Sequence, residues 1–184
     1  MDGIEIEYWD SCAFLALLKN EDHLPGEQTY LQNQARKFDM GAVGLVTSAI
    51  AVTEIFESRL TDEQAARFRS MYTRSNFQFI DATVQVCTVA SNIRSYYKLN
   101  PIRDDGVDLY PSAPDAIHVA SAIAAQTVSK REIKLITFDS ENKPKKNDLG
   151  MTKMSGIVAG KYQLIICRPP TKGQQDELFT HDGK

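Results

Sequence analysis

Three aspartates stand where one secondary-structure element should hand over to the next, which makes them candidates for chemistry. Asp115 lies in the first turn of a helix opening at Pro114, with His118 one turn later on the same face. That helix carries apolar or small residues on nearly every side, so its pattern predicts burial. Pro114 suits a first helical position, where a missing N–H costs nothing and a fixed φ helps. A carboxylate at the mouth of a buried helix must be paired, protonated or bound to a cation. Taken alone, Asp115 is explained by the helix dipole, and His118 by a satisfied core role. Asp10 and Asp139 alter the first of these accounts, because each falls at the carboxyl end of a predicted strand.

The elements that must position these residues follow from the chain pattern. Ile4, Ile6 and Tyr8 alternate with Glu5 and Glu7, a strand pattern that stops at Trp9-Asp10-Ser11. Residues 12–18 are apolar and helix-forming, and Pro25-Gly26 marks a loop. Residues 27–38 predict a second helix and residues 43–46 a short strand. Ser48 is placed to cap a helix running to about residue 60, and Asp62 to cap the next. Residues 77–80 read as a strand, and the helix after it is stopped by Asn100-Pro101. Residues 100–112 hold Pro101, Gly106, Pro111 and three aspartates, which predicts a polar loop of functional or mobile character. After the helix at Pro114 come a strand at 133–138, a basic loop at 143–146 and a closing strand at 163–167. The domain is therefore expected over residues 1–168, with residues 169–184 a polar tail without order.

Strands alternating with helices predict an α/β fold with a mainly parallel sheet. Such sheets take ligands at the carboxyl ends of their strands. Asp10 and Asp139 occupy that edge, and Asp115 can face it from its helix, so three distant carboxylates converge. Glu54 is open: on a helical wheel it lies nearer Ile50, Glu57 and Ser58 than Val52 and Phe56, which suits a solvated glutamate equally well.

Composition bounds the function. The chain has 184 residues, 42% of them hydrophobic and 24% charged, enough for one real core. No apolar run approaches the roughly 18 residues of a membrane span. The acidic start lacks the basic and apolar regions of a signal peptide, which reads as a cytoplasmic protein. Cys12, Cys87 and Cys167 are odd in number and far apart, against a zinc site or disulfide framework; each reads as a small buried hydrophobe. A net charge of −3 counts against a general nucleic-acid binder, unless the acids are gathered in one site and neutralised there by metal. Basic residues concentrate in the last third, at Lys130-Arg131, Lys134, Lys143, Lys145-Lys146, Lys153 and Lys161, and scattered surface charge accounts for them as well.

Four blocks together resemble the PIN-domain nucleases, especially the toxin nucleases of prokaryotic type II toxin–antitoxin pairs. They are Asp10-Ser11, the Thr47-Ser48 stretch through Glu54, Pro114-Asp115-Ala116-Ile117-His118, and Ile136-Thr137-Phe138-Asp139, with Leu164-Ile165-Ile166 as closing strand. Each is weak alone, but four in order over residues 4–168 are specific. The resemblance implies a three-layer α/β/α sandwich with an acidic site of Asp10, Glu54, Asp115 and Asp139. It implies Mg²⁺ or Mn²⁺ as cofactor, with Asp10, Asp115 and Asp139 as ligands, since all-oxygen sites suit these ions. Glu54 would hold or deprotonate a metal-bound water, and Ser11 and Thr137 would orient carboxylates. Asn142 is a further contact expected after the fourth block. The activity implied is internal hydrolysis of RNA, with Arg94, Lys143, Lys145 and Lys146 as phosphate contacts. The partners implied are a separate antitoxin protein and, by analogy, a second copy of the chain.

The chain is longer than a typical small toxin of this kind, at the 100–112 loop and the tail, which bears on the toxin role and leaves the chemistry intact. The alternative is a non-cleaving PIN-fold module that binds RNA or protein; the filled acidic positions favour the enzyme. An aspartate-nucleophile phosphatase would need an acid two residues after Asp10, where Cys12 stands.

Overall fold

The computed structural model describes residues 3–21 and 23–175. At its centre is strand β1 (Glu5–Trp9), followed by helices α1 (Ser11–Lys19) and α2 (Glu27–Asp39). Strand β2 (Val43–Ser48), helices α3 (Ile50–Glu57) and α4 (Asp62–Tyr72), strand β3 (Phe77–Ile80) and helix α5 (Val84–Leu99) come next. Short strands β4 (Ile102–Asp104) and β5 (Val107–Leu109) precede helix α6 (Ala113–Ser129). Strands β6 (Lys134–Ile136), β7 (Gly156–Val158) and β8 (Tyr162–Cys167) complete the fold. The main sheet runs β3-β2-β1-β6-β8-β7, parallel except for β7 against β8.

The pleat of β1 shows how the sheet is covered on both faces. Tyr8 packs into a core built with α5 and α6, whereas Trp9 packs into one built with α1, α2, α3 and α4. Both are wholly buried, as expected of a parallel strand between helical layers. The expected three-layer α/β sandwich is therefore what the chain forms.

From β1 the chain moves outward through β2 to β3, then returns on the other side at β6. The connectivity thus reverses between β1 and β6, and the carboxyl ends of those strands form the crevice where open α/β sheets bind ligands.

Several local expectations require correction. Residues 100–112 are not an unpaired loop: β4 and β5 pair as an antiparallel hairpin through Asp104↔Val107, and Leu109 is fully buried. Its turn residues Asp105 and Gly106 have φ of 49° and 77°. An Asp-Gly pair matches the backbone twist of a two-residue hairpin, but the flanking strands are too short to show alternation. Ser48 ends β2 rather than capping α3, whose N-cap Ala49 makes no side-chain bond. Thr61, not Asp62, caps α4, in a reciprocal box with Gln64. Ser112 caps α6, so Pro114 takes the second helical position. Cys87 is exposed rather than buried. Part of the predicted tail is ordered: Pro169 is buried, and Lys172 N donates to Pro25 O at 2.9 Å. The rest of that tail, residues 176–184, lies outside the described residues. Among the described residues no helix is long and apolar enough to cross a membrane.

Candidate active site

Asp10 caps α1 as β1 ends. Its Oδ1 accepts from Ala13 N at 3.0 Å, and Cys12 Sγ–H lies 2.9 and 3.0 Å from its two oxygens. Thr137 Oγ1 donates to its Oδ2 at 2.6 Å. Burial pushes the Asp10 carboxyl up, and the influence of His118 and these donors only partly offsets it. Cys12 also accepts from Phe138 N at 2.9 Å. It was expected as a passive core residue, yet its thiol joins the ends of the first and fourth blocks. No sequence pattern distinguishes such a cysteine from a packed one.

Thr137 is the hinge between two acids, since its Oγ1 also accepts from Asp139 N at 2.9 Å. Asp139 Oδ2 accepts from Met151 N at 2.9 Å, and its Oδ1 pairs with Lys143 Nζ at 2.7 Å. The loop bearing Asp139 is anchored from outside. Arg168 makes two bonds to buried Glu27, at 2.7 and 2.9 Å, and donates to Phe138 O and Ser140 Oγ at 3.2 and 2.9 Å. This fork geometry fixes the loop's direction.

Asp115 exchanges hydrogen bonds with its own N-cap: the Ser112 hydroxyl donates to Oδ2 and accepts from Asp115 N. Burial, reinforced by the negative charges of Asp139, Asp148 and Asp10, pushes its carboxyl to about 6 against the opposing Ser112 bond. Asp148 is a fifth carboxylate that the sequence reading missed. It sits in a loop without periodicity and arrives by a turn in which Lys143 N donates to Asp148 O at 2.9 Å. Its Oδ2 lies 3.6 Å from Lys143 Nζ, and its Oδ1 is buried without a hydrogen-bond partner among the described residues.

Glu54 resolves the ambiguity left by its helical wheel. Its carboxylate is 29% exposed and lies 2.8 Å from His118 Nε2. Burial raises its pKa, but its interactions with His118 and Ser11 outweigh that, so it is held below its ordinary value. Ser11 thus contacts Glu54, one of the carboxylates it was expected to orient. His118 is a satisfied buried residue, as its type suggested, but one of its partners is a site acid.

Other expected contacts fall elsewhere. Asn142 does not reach the acids: its Nδ2 donates to Asp104 at 2.8 Å and its Oδ1 accepts from Gly150 N at 3.3 Å, tying the hairpin to the loop after β6. Arg94 is spent on Pro111 O at 3.1 Å and stacks near Tyr110. Lys143 enters the acidic cluster itself. Lys145 and Lys146 are exposed on the short 3₁₀ turn Pro144–Lys146.

The donor set is all oxygen and carries surplus negative charge, which the raised Asp115 carboxyl reports. Together with the unpartnered Asp148 oxygen, this chemistry fits a hard divalent cation. Among the described residues, however, no three acid, thiol or imidazole groups converge on one metal-sized point. The fit lies in charge and donor type, with Lys143 supplying part of the positive charge.

The family model of the PIN domain matches residues 8–145. No curated protein matches the sequence. Two of the solved structures that share the fold illustrate the likeness. One is VapBC2 from Rickettsia felis bound to a DNA fragment from its promoter, with TM-score 0.50, 12% identity, and coverage of 89% of this chain and 98% of that one. The other is FitAB bound to the IR36 DNA fragment, with TM-score 0.50, 17% identity, and coverage of 89% and 94%.

Proposed function

The chain belongs to the PIN-domain family, and from that premise we propose that it is a metal-dependent endoribonuclease, the toxin of a toxin–antitoxin pair. The observation that carries the reading is the raised carboxyl of Asp115, at about 6, beside Asp10, Asp139 and Asp148 at the topological switch of the sheet. Carboxylates crowded without enough donors are stabilised most by a cation, and a cation there sits where the fold binds ligands.

In this reading Asp10, Asp115 and Asp139 would hold Mg²⁺ or Mn²⁺, which supplies a water of lowered pKa and neutralises charge on the phosphate. The chain's own residues do the rest. Ala13, Cys12 and Thr137 fix the direction of Asp10. Ser11 and His118 keep Glu54 ionised, able to accept a proton from the attacking water. Lys145 and Lys146 stand exposed on the turn after Lys143 and would meet RNA phosphates, and Lys143 would join them with a cation at the acids. The soluble partners are RNA, a separate antitoxin protein, which the two similar complexes suggest, and a second copy of the chain. The cytoplasm is the compartment in which these meet.

A second reading has one observation in its favour. Lys143 Nζ between Asp139 and Asp148, with no three acids converged, is what a non-cleaving module would display. Incubation of fluorescent RNA with the protein in Mg²⁺, Mn²⁺ or EDTA, beside Asp10→Asn and Asp115→Asn, separates the two. Cleavage that needs metal and drops at least about a hundredfold in both variants supports the enzyme. Intact RNA under every condition, or cleavage indifferent to both substitutions, sinks it.

A further inference from the structure

His118 is buried to 1% exposure and spans the space between strand β1 and helix α3. Its Nε2 lies 2.8 Å from Glu54 Oε2, and its Nδ1 lies 2.9 Å from the Tyr8 hydroxyl. The chemistry of the partners assigns the protons. Glu54 is held in its ionised form and offers only acceptors. The proton on this side therefore belongs to Nε2. The Tyr8 hydroxyl faces the other ring nitrogen and can donate to Nδ1. The three groups form a one-way chain: Tyr8 O–H donates to Nδ1, and Nε2–H donates to Glu54.

We propose that His118 is a positioning residue for Glu54, and that Tyr8 fixes the imidazole tautomer that makes it one. The proposal rests on the reading of Glu54 as the carboxylate that handles the attacking water. Two observations separate this arrangement from ordinary core packing. First, α6 delivers both Asp115 and His118 from one face, so the helix that places one acid at the crevice also sets the angle of a second acid on α3. Second, Glu54 has few other restraints. Its helix has no side-chain N-cap bond, and among the described residues only His118 and Ser11 bond its carboxylate. A glutamate with three free torsions needs such a restraint to present one oxygen reproducibly.

The test uses His118→Gln, whose amide N–H can replace Nε2–H, His118→Asn, which reaches Tyr8 but not Glu54, and Tyr8→Phe. Carbon-detected titration of the Glu54 carboxyl is read in each full-length protein, alongside metal-dependent RNA cleavage and thermal melting. The expected result is a Glu54 titration moved to higher pH in His118→Asn, restored towards wild type in His118→Gln, and moved less in Tyr8→Phe. The turnover number should fall about ten- to a hundredfold in His118→Asn with KM within about twofold, and recover in His118→Gln. Folded His118→Asn with an unmoved Glu54 titration overturns the proposal, as does loss of activity equal in His118→Asn and His118→Gln. If wild-type protein cleaves no RNA, the nuclease reading fails while the titration still decides whether His118 sets Glu54. If His118→Asn does not fold, the comparison of His118→Gln with Tyr8→Phe decides: a titration unmoved in Tyr8→Phe overturns the tautomer role.

Discussion

Glu7 and Asp115 are both carboxylates withdrawn from water, yet they are built for opposite ends. Glu7 lies in mid-strand on β1 with 1% exposure. It accepts from Trp9 Nε1 at 2.8 Å, from Gln34 Nε2 at 2.6 Å and from the Tyr30 hydroxyl. All its donors are neutral and fixed on packed elements, so the group is satisfied where it stands. Asp115 has the Ser112 hydroxyl as its side-chain donor and three acids as electrostatic neighbours. The difference teaches what to look for in a buried acid. A carboxylate surrounded by neutral donors braces the fold, whereas one surrounded by its own kind stores unfavourable charge for a ligand to relieve.

The comparison breaks first at Glu7. Glu7→Ala would leave the Trp9, Gln34 and Tyr30 donors facing a void, with an expected loss of about 3–5 kcal/mol in urea unfolding. A loss below about 1 kcal/mol would mean that the network contributes little. Asp115 should respond with the opposite sign. Its folded pKa of about 6 exceeds the reference value of 3.8, so between those values the folded state binds more protons than the unfolded one. Stability from this group is therefore greatest below about pH 4 and falls as pH rises to about 6. Asp115→Asn should raise stability by about 1–2 kcal/mol at pH 8, after loss of part of the Ser112 bond, and by almost nothing at pH 4. Equal effects at both pH values would refute the stored-charge account. The same substitution should abolish cleavage, so stability and activity part company at this residue. The smallest effect is expected at Lys143, whose side chain is half exposed. Lys143→Gln should cost under about 1 kcal/mol and move the Asp115 titration to higher pH. Addition of Mn²⁺ should then stabilise Lys143→Gln more than wild type in a melt, and equal stabilisation would show that Lys143 does not share the cation's place.

Much of this was legible in the chain itself. The alternation of strands with helices carried the α/β class, because a parallel sheet requires long crossovers and each leaves its own periodic pattern. A strand-to-helix junction marked Asp10 and a strand end marked Asp139, since capping and strand termination are local events. The order of the four blocks carried the family. Local chemistry was misjudged where two signals overlapped, as at Ser48, whose residue type suits a cap although the strand continues through it. The hairpin at 102–109 announced itself only through Asp105-Gly106, because three-residue strands are too short to show a period.

Tertiary structure decided everything that depends on contacts between distant segments. It turned Glu54 inward through His118, 64 positions away, and placed Cys12 across from Phe138. It brought Asp148 and Lys143 into the acid cluster and drew Asn142 out to Asp104. Sequence determines which groups exist and which local face they share. Their charge state and partners depend on burial and on the summed field of neighbours, and those exist only once the crevice between β1 and β6 has formed.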